Sequence, residues 1–503
     1  MTRLSAYDVI ALLADPASWQ SWDRPPTEVM ADVEYAEELA RARAKTGLDE
    51  AVVTGAAAIH GRRVAMLLCD FGFLGGSIGV AAGDRMVEAI RRATAEKLPL
   101  LALPTSGGTR MQEGTIAFLQ MVKITNAVVA HKSAQLPYLV YLRHPTTGGV
   151  FASWGSLGHV TLAEPGALVG FLGPRVYEAL YGNPFPAGVQ TSENLHACGL
   201  IDAVAPLPEL RDMVDRALTI ISRSPDTTAP ATAACAPRVD IPAWSSVTAS
   251  RRSDRPGVRD LLRHAASDVL MLNGTGQGEN DPGLLLALAR FDDVACVLLG
   301  QDRHSQTPWT PLGPGALRQA RRGMRLAADL DLPLVSVIDT PGAALSREAE
   351  QGGLAGEIAR CIADMVALDV PTVSVLLGQG TGGGALALLP ADRIMAAQHG
   401  WLSPLPPEGA SAILHHDTSH AAHMADRQGI RSADLLAHNV VDRVIREYPD
   451  AAEEPEPFCL RVAAALRQEL TALANTDKSQ RLTERTQRFD RIGQPDSVLA
   501  QAG

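Results

Sequence analysis

Short apolar runs that follow a proline recur along the chain. LLALPTSGG follows Pro99 and YLVYLRHPTTGG follows Pro137, while LVSVIDTPGA follows Pro333 and TVSVLLGQGTGGG follows Pro371. The two prolines of each pair are 38 residues apart. Proline suits the first residue of a strand because its missing N–H removes no ladder hydrogen bond there. The equal spacing predicts two copies of one domain type.

Amphipathic stretches lie between these predicted strands. Residues 84–97 place Met86, Ile90 and Ala93 on one side and many of their charged side chains on the other, which is typical of a helix that packs on a core. The order strand, glycine turn, helix and strand indicates parallel βαβ units in an α/β fold. Further helices are predicted at residues 28–45, 114–132, 316–331, 353–369 and 458–473.

A change of composition separates the two copies. Residues 222–255 are rich in Pro, Ala, Ser and Thr and have little periodicity, which is typical of a linker. We therefore predict a first domain at 1–225, a linker at 226–255 and a second domain at 256–503.

Composition limits the kinds of partner. The 503 residues include 45 Lys and Arg against 56 Asp and Glu, which gives a net charge of −11. Clustered basic side chains bind nucleic acid and anionic membranes, so we expect neither partner. No apolar run approaches the ~20 residues of a membrane span, and the first residues lack a signal-peptide core. We therefore expect a cytoplasmic protein.

The cysteines are scattered and include no C-x-x-C pair, so they indicate neither a disulfide framework nor a zinc site. They are predicted to be free, buried thiols, and no metal is expected. The six are Cys69, Cys198, Cys235, Cys296, Cys361 and Cys459.

Four glycine turns follow the predicted strands, at residues 106–109, 147–150, 340–343 and 382–385. Glycine lets the backbone approach a ligand closely, and the first amides of a helix have no intrahelical acceptor. Such turns can bind an anion or a developing oxyanion. The alternative is that the glycines only permit strand-to-helix turns, but their repetition at matching places favours a binding role.

Other motifs are weaker. Ser77 lies in a G-x-S-x-G run, residues 378–383 match the dinucleotide-binding spacing, and His144 lies near a glycine turn. Residues 415–423 (HHDTSHAAH) contain several histidines, without a metal-ligand spacing. Structural roles are favoured for all of these. The sequence thus indicates oxyanion stabilisation without an obvious protein acid or base, which suits a substrate or cofactor that brings its own base.

Each half of the chain contains a set of short motifs. The motifs of the first half are DFGFLGGSIG (70–79), SGGTRMQE (106–113), QMVK (120–123), PTTGGV (145–150), AEPGA (163–167) and GPRV (173–176). The motifs of the second half are IDTPGA (338–343), GQGTGGGALA (378–387), SP (403–404) and PEGAS (407–411). With these motifs the sequence resembles the carboxyltransferase of acetyl-CoA carboxylase. The first half is similar to the beta subunit over residues 50–205, and the second is similar to the alpha subunit over residues 256–445.

The resemblance implies an α/β fold of two tandem crotonase-like ββα-spiral domains and two backbone oxyanion holes that face each other across a dimer interface. Gly148 and Gly149 would hold the thioester enolate, and Gly383 and Gly384 with the Ala385 amide would hold the biotin ureido oxygen. The remaining site residues that it implies for substrate binding are Gly107 and Gly108 on the CoA side, Arg110 and Lys123 at CoA phosphates, and Gly342.

The resemblance also implies an activity and its partners. The reaction would transfer CO₂ from carboxybiotin on a biotin carboxyl carrier protein to acetyl-CoA, giving malonyl-CoA for fatty acid biosynthesis. Biotin carboxylase would be a further partner. Because beta-like and alpha-like parts share one chain, a homodimer or higher homo-oligomer is expected.

Two features depart from the family pattern. The bacterial beta subunit carries an N-terminal four-cysteine zinc finger, whereas residues 1–68 contain no cysteine, so no zinc is predicted. The basic stretch of the alpha subunit is replaced by GQDRH at 300–304. Alternatives to the carboxylase are a decarboxylase subunit of the same fold, a crotonase-type hydratase or isomerase that would need an acid/base such as Glu113, and a non-catalytic scaffold.

Overall fold

The chain divides into two compact units. A computed structural model describes residues 3–26, 31–221, 241–307 and 309–492. The first unit comprises Met1–Thr219 with Leu272–Glu279, and the second comprises Ile220–Met271 with Asn280–Gly503. Of the expected linker at 226–255, residues 226–240 lie outside the described residues, and the remainder contains a helix at Ala243–Ser250.

A mixed β-sheet lies at the centre of the first unit. The strands are β1 (Gln20–Ser21), β2 (Val52–Ile59), β3 (Arg62–Cys69), β4 (Leu100–Leu103), β5 (Tyr138–Leu142), β6 (Thr146–Thr147), β7 (Val160–Ala163), β8 (Val169–Gly170) and β9 (Ala203–Val204). Across the described residues the sheet order is β1-β2-β3-β4-β5-β7-β9, antiparallel from β1 to β3 and parallel from β3 to β9. β6 and β8 form a separate parallel pair.

Helices flank this sheet. α3 contacts β2 and β3, and α4 packs on α3. The helices of the N-terminal part of the chain are α1 (Ala6–Leu13), α2 (Val33–Thr46), α3 (Val80–Ala95), α4 (Gly114–Ser133), α5 (Pro174–Tyr181), α6 (Ser192–Ala197) and α7 (Leu207–Ile221), with 3₁₀ turns at Leu74–Gly76, Met111–Glu113 and Trp154–Ser156.

The second sheet repeats the first. Its strands are β10 (Asp268–Leu272), β11 (Leu284–Phe291), β12 (Val294–Gln301), β13 (Leu334–Thr340), β14 (Thr372–Thr381), β15 (Arg393–Ala397), β16 (Trp401–Ser403) and β17 (Arg443–Ile445). In the described part of the chain the order is β10-β11-β12-β13-β14-β15-β17, with β16 paired to the end of β14. β11 and β12 are antiparallel, and the strands from β12 to β17 are parallel.

The helices of the second unit include long ones around the sheet and short ones near the strand ends. They are α8 (Ala243–Ser250), α9 (Val258–Ala265), α10 (Pro314–Leu330), α11 (Arg347–Gln351), α12 (Leu354–Ala367), α13 (Gly382–Leu386), α14 (Pro407–His415), α15 (Ala421–Arg427), α16 (Ser432–Ala437), α17 (Pro455–Ala474) and α18 (Lys478–Arg491), with a 3₁₀ turn at Ala451–Glu453.

The strands predicted after the four prolines are confirmed, and so are the predicted helices, with ends shifted by a few residues. The start of the first predicted helix, residues 28–30, lies outside the described residues. The predicted βαβ units are parallel, since β4 pairs with β5 and β13 pairs with β14 in parallel. The strand pairs β2–β3 and β11–β12, which the proline-led runs did not predict, form antiparallel hairpins. The first hairpin turns at His60 and Gly61, which both have positive φ (47° and 79°), as a tight two-residue hairpin turn requires.

Candidate active site

One sequence offset relates the proline-led strands and the glycine turns of the two units. The prolines that open the strands of the second unit lie 234 residues after those of the first (333 − 99 and 371 − 137). The same offset carries Gly148 onto Gly382 (382 − 148), and both have left-handed backbone, with φ of 65° and 63°. The repeat predicted from sequence therefore extends to the conformation of individual glycines.

Two loops of the first unit meet through their backbones. The Ser106 amide donates to the Pro145 carbonyl (2.7 Å), and the Thr147 amide donates to the Ser106 carbonyl (2.9 Å). A Cβ added to Gly108 would lie 3.3 Å from the Gly149 amide nitrogen, and Gly108 itself has a φ of 108°. Because the positive φ and the close backbone both disfavour a side chain, position 108 requires glycine.

The second of these loops carries three consecutive unpaired amides. The Gly148 amide donates to the carbonyls of Gly170 and Phe171 (3.2 and 2.9 Å). Among the described residues, the amides of Gly149, Val150 and Phe151 make no hydrogen bond. The N–H groups of Gly149 and Val150, which we call the first hole, are free to donate to an anionic oxygen.

The second unit has the corresponding arrangement at the end of β14. Gly382, Gly383 and Gly384 form the first turn of α13, so their amides have no acceptor within the helix. In this described segment the side chain of the N-cap residue Thr381 makes no capping hydrogen bond. By the offset of 234, Gly383 and Gly384 correspond to the residues of the first hole. We call their amides the second hole.

Each hole has a helix directly behind it. A Cβ added to Gly149 would lie 3.1 Å from Cγ of Met121 in α4, and a Cβ added to Gly383 would lie 2.7 Å from Cδ1 of Ile358 in α12. A side chain at either glycine would therefore have to displace its neighbour. Because neither glycine has a side chain, the groups that these two positions can offer to a ligand are their backbone amides.

The other glycines and the alanine predicted for the site shape the loops around the holes. Gly107 is exposed, and its amide donates to the Gly75 carbonyl (2.9 Å). Gly342 has a φ of 134°, and its amide donates to Oγ1 of Thr340 (3.1 Å). Ala385 is buried within α13. Direct contacts of these residues with a ligand stay predictions.

Comparison with known protein families shows the family of the chain. A model of the carboxyl transferase domain matches residues 3–483. The chain belongs to the carboxyl transferase family. It is therefore an enzyme, a carboxyltransferase, as the sequence motifs indicated.

Relatives of this carboxyltransferase are similar over nearly all of its length. A probable biotin-dependent acyl-coenzyme A carboxylase beta3 subunit from Mycobacterium tuberculosis is 61% identical over 495 residues, which cover 98% of this chain and 100% of the relative. The acetyl-coenzyme A carboxylase carboxyl transferase subunits beta/alpha of Saccharopolyspora erythraea is 36% identical over 511 residues, 98% of this chain and 90% of the relative.

A solved structure extends the comparison to the fold of the carboxyltransferase. The hexameric transcarboxylase 12S, with methylmalonyl-coenzyme A and methylmalonic acid bound, has a TM-score of 0.74. It is 21% identical, covering 94% of this chain and 90% of that chain. The predicted α/β fold with two tandem crotonase-like domains is confirmed.

Arg110 is buried inside the carboxyltransferase fold. Its side chain is 0% exposed, and its guanidinium is held by both carboxylate oxygens of Glu50, with Nη1 and Oε2 2.9 Å apart. Nη1 also donates to Oη of Tyr35 (3.3 Å), and Nη2 donates to the carbonyl of Ser77 (2.7 Å). Burial lowers the pKa of Arg110, but the hydrogen bonds and charge of Glu50 outweigh burial and raise it. In this structure the guanidinium is enclosed and already paired with Glu50, which indicates a structural role, and the expected contact with CoA phosphates stays a prediction.

Lys123 has a different environment. It pairs with Asp84 at the surface, and its side chain is 45% exposed, so contact with a CoA phosphate stays a prediction. Further basic side chains line a cavity of about 1880 Å³ in the first unit, among them Arg3, Arg41 and Lys45.

His144 and Ser77, the candidate base and nucleophile, are engaged within the fold. Nδ1 of His144 accepts the Leu168 amide (3.0 Å), and burial, followed by the charge of Arg3, lowers the His144 pKa. The Ser77 hydroxyl donates to the Leu74 carbonyl (2.8 Å). Both side chains thus have structural partners, as the sequence analysis favoured.

The histidines at 415–423 cluster at the surface of the second unit. The rings of His415 and His420 stack with centroids 4.3 Å apart, and Nδ1 of His420 lies 3.0 Å from Oδ1 of Asp417. Within the described ranges, no group of three or more His, Cys, Asp or Glu side chains is arranged to hold a metal ion. No helix in the same ranges combines the length and the apolar character needed to span a membrane.

Sequence reasoning missed one residue of the first hole. The glycine motif predicted the amides of Gly148 and Gly149 as donors. The Gly148 amide is already hydrogen-bonded within the protein, and the second free amide of the hole belongs to Val150. A backbone donor has no signature in its own side chain. The signal that could have found it is the offset of 234, which aligns Val150 with Gly384.

Replacement of Arg110 tests its structural assignment. Arg110→Met leaves the carboxylate of Glu50 buried without its partner, so we expect the free energy of unfolding to fall by about 3–5 kcal/mol. Lys123→Met, which breaks an exposed pair, is expected to cost less than about 1 kcal/mol. Chemical and thermal denaturation measure both. An Arg110→Met protein of normal stability with a raised KM for acyl-CoA would contradict the structural assignment and support the phosphate role.

Proposed function

We propose that this carboxyltransferase moves the carboxyl group of carboxybiotin, carried on a biotin carboxyl carrier protein, to the α-carbon of acetyl-CoA and so forms malonyl-CoA. The observation that carries the proposal is the pair of matching holes, each with two backbone amides directed by glycine turns. The relatives named as acetyl-CoA and acyl-CoA carboxylase subunits support the substrate class.

The first hole is proposed to bind the thioester oxygen. Enolisation places negative charge on that oxygen, and the amides of Gly149 and Val150 would donate to it. One such donor contributes about 10²–10³ in kcat, or about 3–4 kcal/mol of transition-state stabilisation. Because these amides are fixed by the loop pairing at Ser106 and Thr147, they need no reorganisation as the charge develops.

The second hole is proposed to bind the ureido oxygen of biotin. Carboxybiotin supplies the CO₂, and its ureido nitrogen supplies the base for the α-proton. The amides of Gly383 and Gly384, with Ala385 beside them, form a donor set that fits a single oxygen carrying negative charge. The chain itself contributes position and charge stabilisation, which agrees with the structural engagement of His144 and Ser77.

A homodimer or higher homo-oligomer is part of the proposal, with holes from different copies facing each other. One face of α4 is buried in the first unit, whereas large apolar side chains on the other face are exposed. A helix that is apolar all round is normally buried. The exposed large apolar side chains on α4 and the turn before it are Met111 (80%), Ile116 (59%), Phe118 (60%), Leu119 (51%), Val122 (66%) and Val129 (50%).

Biotin carboxylase is the proposed source of carboxybiotin, fatty acid biosynthesis is the proposed pathway, and the cytoplasm is the proposed compartment. The described cysteines support a reducing environment, since Cys69, Cys296, Cys361 and Cys459 are free and buried and Cys198 is free and exposed. Cys235 lies outside the described residues.

The first test is the reaction itself. Purified chain, biotin carboxylase and carrier protein are combined with ATP and bicarbonate, and acetyl-CoA, propionyl-CoA and a long-chain acyl-CoA are compared. We expect malonyl-CoA formation with the highest kcat/KM for acetyl-CoA. A preference for another acyl-CoA would contradict the acetyl assignment alone. Release of CO₂ from malonyl-CoA without transfer to biotin would favour the decarboxylase.

Substitution at the glycines tests the two holes. A valine at Gly149 meets Met121 at 3.1 Å from its Cβ, and a valine at Gly384 meets Leu312 at 3.1 Å. We expect Gly149→Val and Gly384→Val each to lower kcat for carboxyl transfer by at least about 100-fold.

Two further glycines serve as controls for these substitutions. A Cβ added to Gly173 or Gly409 would be no closer than 3.7 Å to any neighbouring atom, so Gly173→Val and Gly409→Val should retain near wild-type rates. Circular dichroism checks the fold of all four variants. Retained transfer by a folded Gly149→Val or Gly384→Val protein would exclude the corresponding hole.

The exposed face of α4 tests the oligomer. Phe118→Asp and Val122→Asp place charges on this face, so we expect the oligomer to dissociate and transfer activity to fall with it. Val33→Asp, at the 79% exposed first residue of α2, is the matched control. Sedimentation velocity measures the mass. A wild-type chain that is monomeric, or an unchanged mass in both α4 variants, would contradict an interface at α4.

A further inference from the structure

Gln301 lies at the end of β12 in the interior of the second unit, where its side chain is 0% exposed. Its Nε2 donates to the Gly384 carbonyl (2.7 Å), and its Oε1 accepts the Asp339 amide (3.1 Å). Because a backbone amide can only donate and a carbonyl can only accept, these partners fix the orientation of the carboxamide. One buried side chain thus joins the end of β13 to the second hole.

The Gly384 carbonyl depends on this side chain because α13 is short. In a continuing α-helix the amide of Leu388 would donate to the Gly384 carbonyl. Here the Leu388 amide donates to the Ala385 carbonyl instead (3.2 Å). The Gln301 side chain therefore donates the hydrogen bond that the Gly384 carbonyl does not receive within the helix.

The first hole is held by contacts within its own loop. The corresponding carbonyl, that of Val150, accepts the amide of Gly155 (3.0 Å), and the Ser153 hydroxyl donates to the carbonyls of Gly149 (2.5 Å) and Val150 (3.5 Å). By strand register, Ala65 pairs with Leu100 as Val297 pairs with Leu334, so Cys69 takes the place of Gln301. The bridging carboxamide is therefore specific to the second unit.

A second contact holds the strand that leads into the hole. Oδ1 of Asp339 accepts the Gln379 amide (3.0 Å), and Oδ2 lies 3.0 Å from Nη1 of Arg303. A Cβ added to Gly378 would lie 2.5 Å from Oδ1. Burial raises the Asp339 pKa, against the lowering effect of the Arg303 charge. Asp339 fixes β14 before the hole, which leaves the glycine run at 382–384 to be fixed by Gln301.

We propose that Gln301 is a positioning residue for carboxyl transfer that fixes the direction of the amides in the second hole, an inference that rests on the proposed function of that hole. The Gly384 carbonyl and the Ala385 amide belong to one planar peptide unit and point in opposite directions. Anchoring the carbonyl on Gln301 fixes this peptide unit and with it the ψ angle of Gly384, the residue whose own amide belongs to the second hole. Glycine has wide φ/ψ freedom, so the run needs this external anchor.

Gln301→Met removes both hydrogen bonds and keeps a side chain of similar length. We expect kcat for carboxyl transfer to fall about 100-fold, as small misplacements of reacting groups do. The KM for free biotin, with malonyl-CoA as carboxyl donor, should rise, and the KM for the CoA substrate should not change. Gln319→Met is the matched control, because Gln319 is also buried and donates to the Leu284 carbonyl (3.2 Å). Equal losses in both variants would overturn the proposal.

Gln301→Glu tests the hydrogen bond through the pH dependence of the rate, which a simple loss of packing would not change. A carboxylate keeps the acceptor for the Asp339 amide but loses the donor to Gly384, and only a protonated carboxyl restores it. Burial of position 301 favours the protonated form. The charged groups around its partner residue are the Asp339 carboxylate, which also favours that form, and Arg303 and Arg255, whose charges lower the pKa of Asp339 and act in the opposite direction. We expect the rate of Gln301→Glu relative to wild type to rise as pH falls, and that of Gln301→Met to stay constant. A pH-independent ratio for Gln301→Glu would contradict the proposal.

Hydrogen–deuterium exchange separates this inference from the proposed function. Amides at 382–388 should exchange faster in Gln301→Met than in wild type or Gln319→Met, whether or not the chain transfers carboxyl groups. A wild-type enzyme inactive with every acyl-CoA would refute the proposed function, and faster exchange would still support the anchoring role. Unchanged exchange in Gln301→Met would refute that role even in an active enzyme.

Discussion

The close approach of backbone segments at glycine is the constraint on which the whole site depends. Gly108 lies so close to Gly148 and Gly149 that a Cβ at position 108 would be closer to their backbone atoms than an ordinary van der Waals contact. Gly148 and Gly382 also both have a left-handed φ. These two requirements set the path of each loop after its strand. The path in turn leaves the next two amides without acceptors. The chemistry available to the carboxyltransferase therefore follows from backbone conformation before any side chain is considered.

A site built from backbone amides suits a reaction in which the substrates carry their own acid and base. The amides donate at every pH, and they cannot be removed by changing the side chain that bears them. The titratable groups nearby serve the framework, since Arg110 is paired with Glu50 and His144 accepts the Leu168 amide. The net charge of −11 gives anionic substrates no general attraction. Oriented amides and local basic side chains must supply it.

Much of this could be predicted from sequence because it depends on local rules. Proline at the strand start and the 38-residue spacing gave the repeated parallel strands, and glycine clusters gave the turns. The antiparallel hairpin at β2–β3 was missed because its strands do not follow a proline. The burial of Arg110 could not be predicted, since a charged residue looks the same in sequence whether it faces solvent or Glu50. Val150 was missed because its donor is the backbone.

The two holes have similar backbones but are braced differently. The Val150 carbonyl accepts a hydrogen bond from the Gly155 amide in the turn that follows. Because α13 ends early, the Gly384 carbonyl accepts its hydrogen bond from the side chain of Gln301 instead. The first hole is braced within its own loop, by the Gly155 amide and the Ser153 hydroxyl, while the brace of the second hole depends on one side chain of another strand. The symmetry that sequence spacing reveals is thus a symmetry of conformation. The bracing is decided by tertiary contacts between strands that are distant in sequence, and for that reason it becomes visible only once the sheet is assembled.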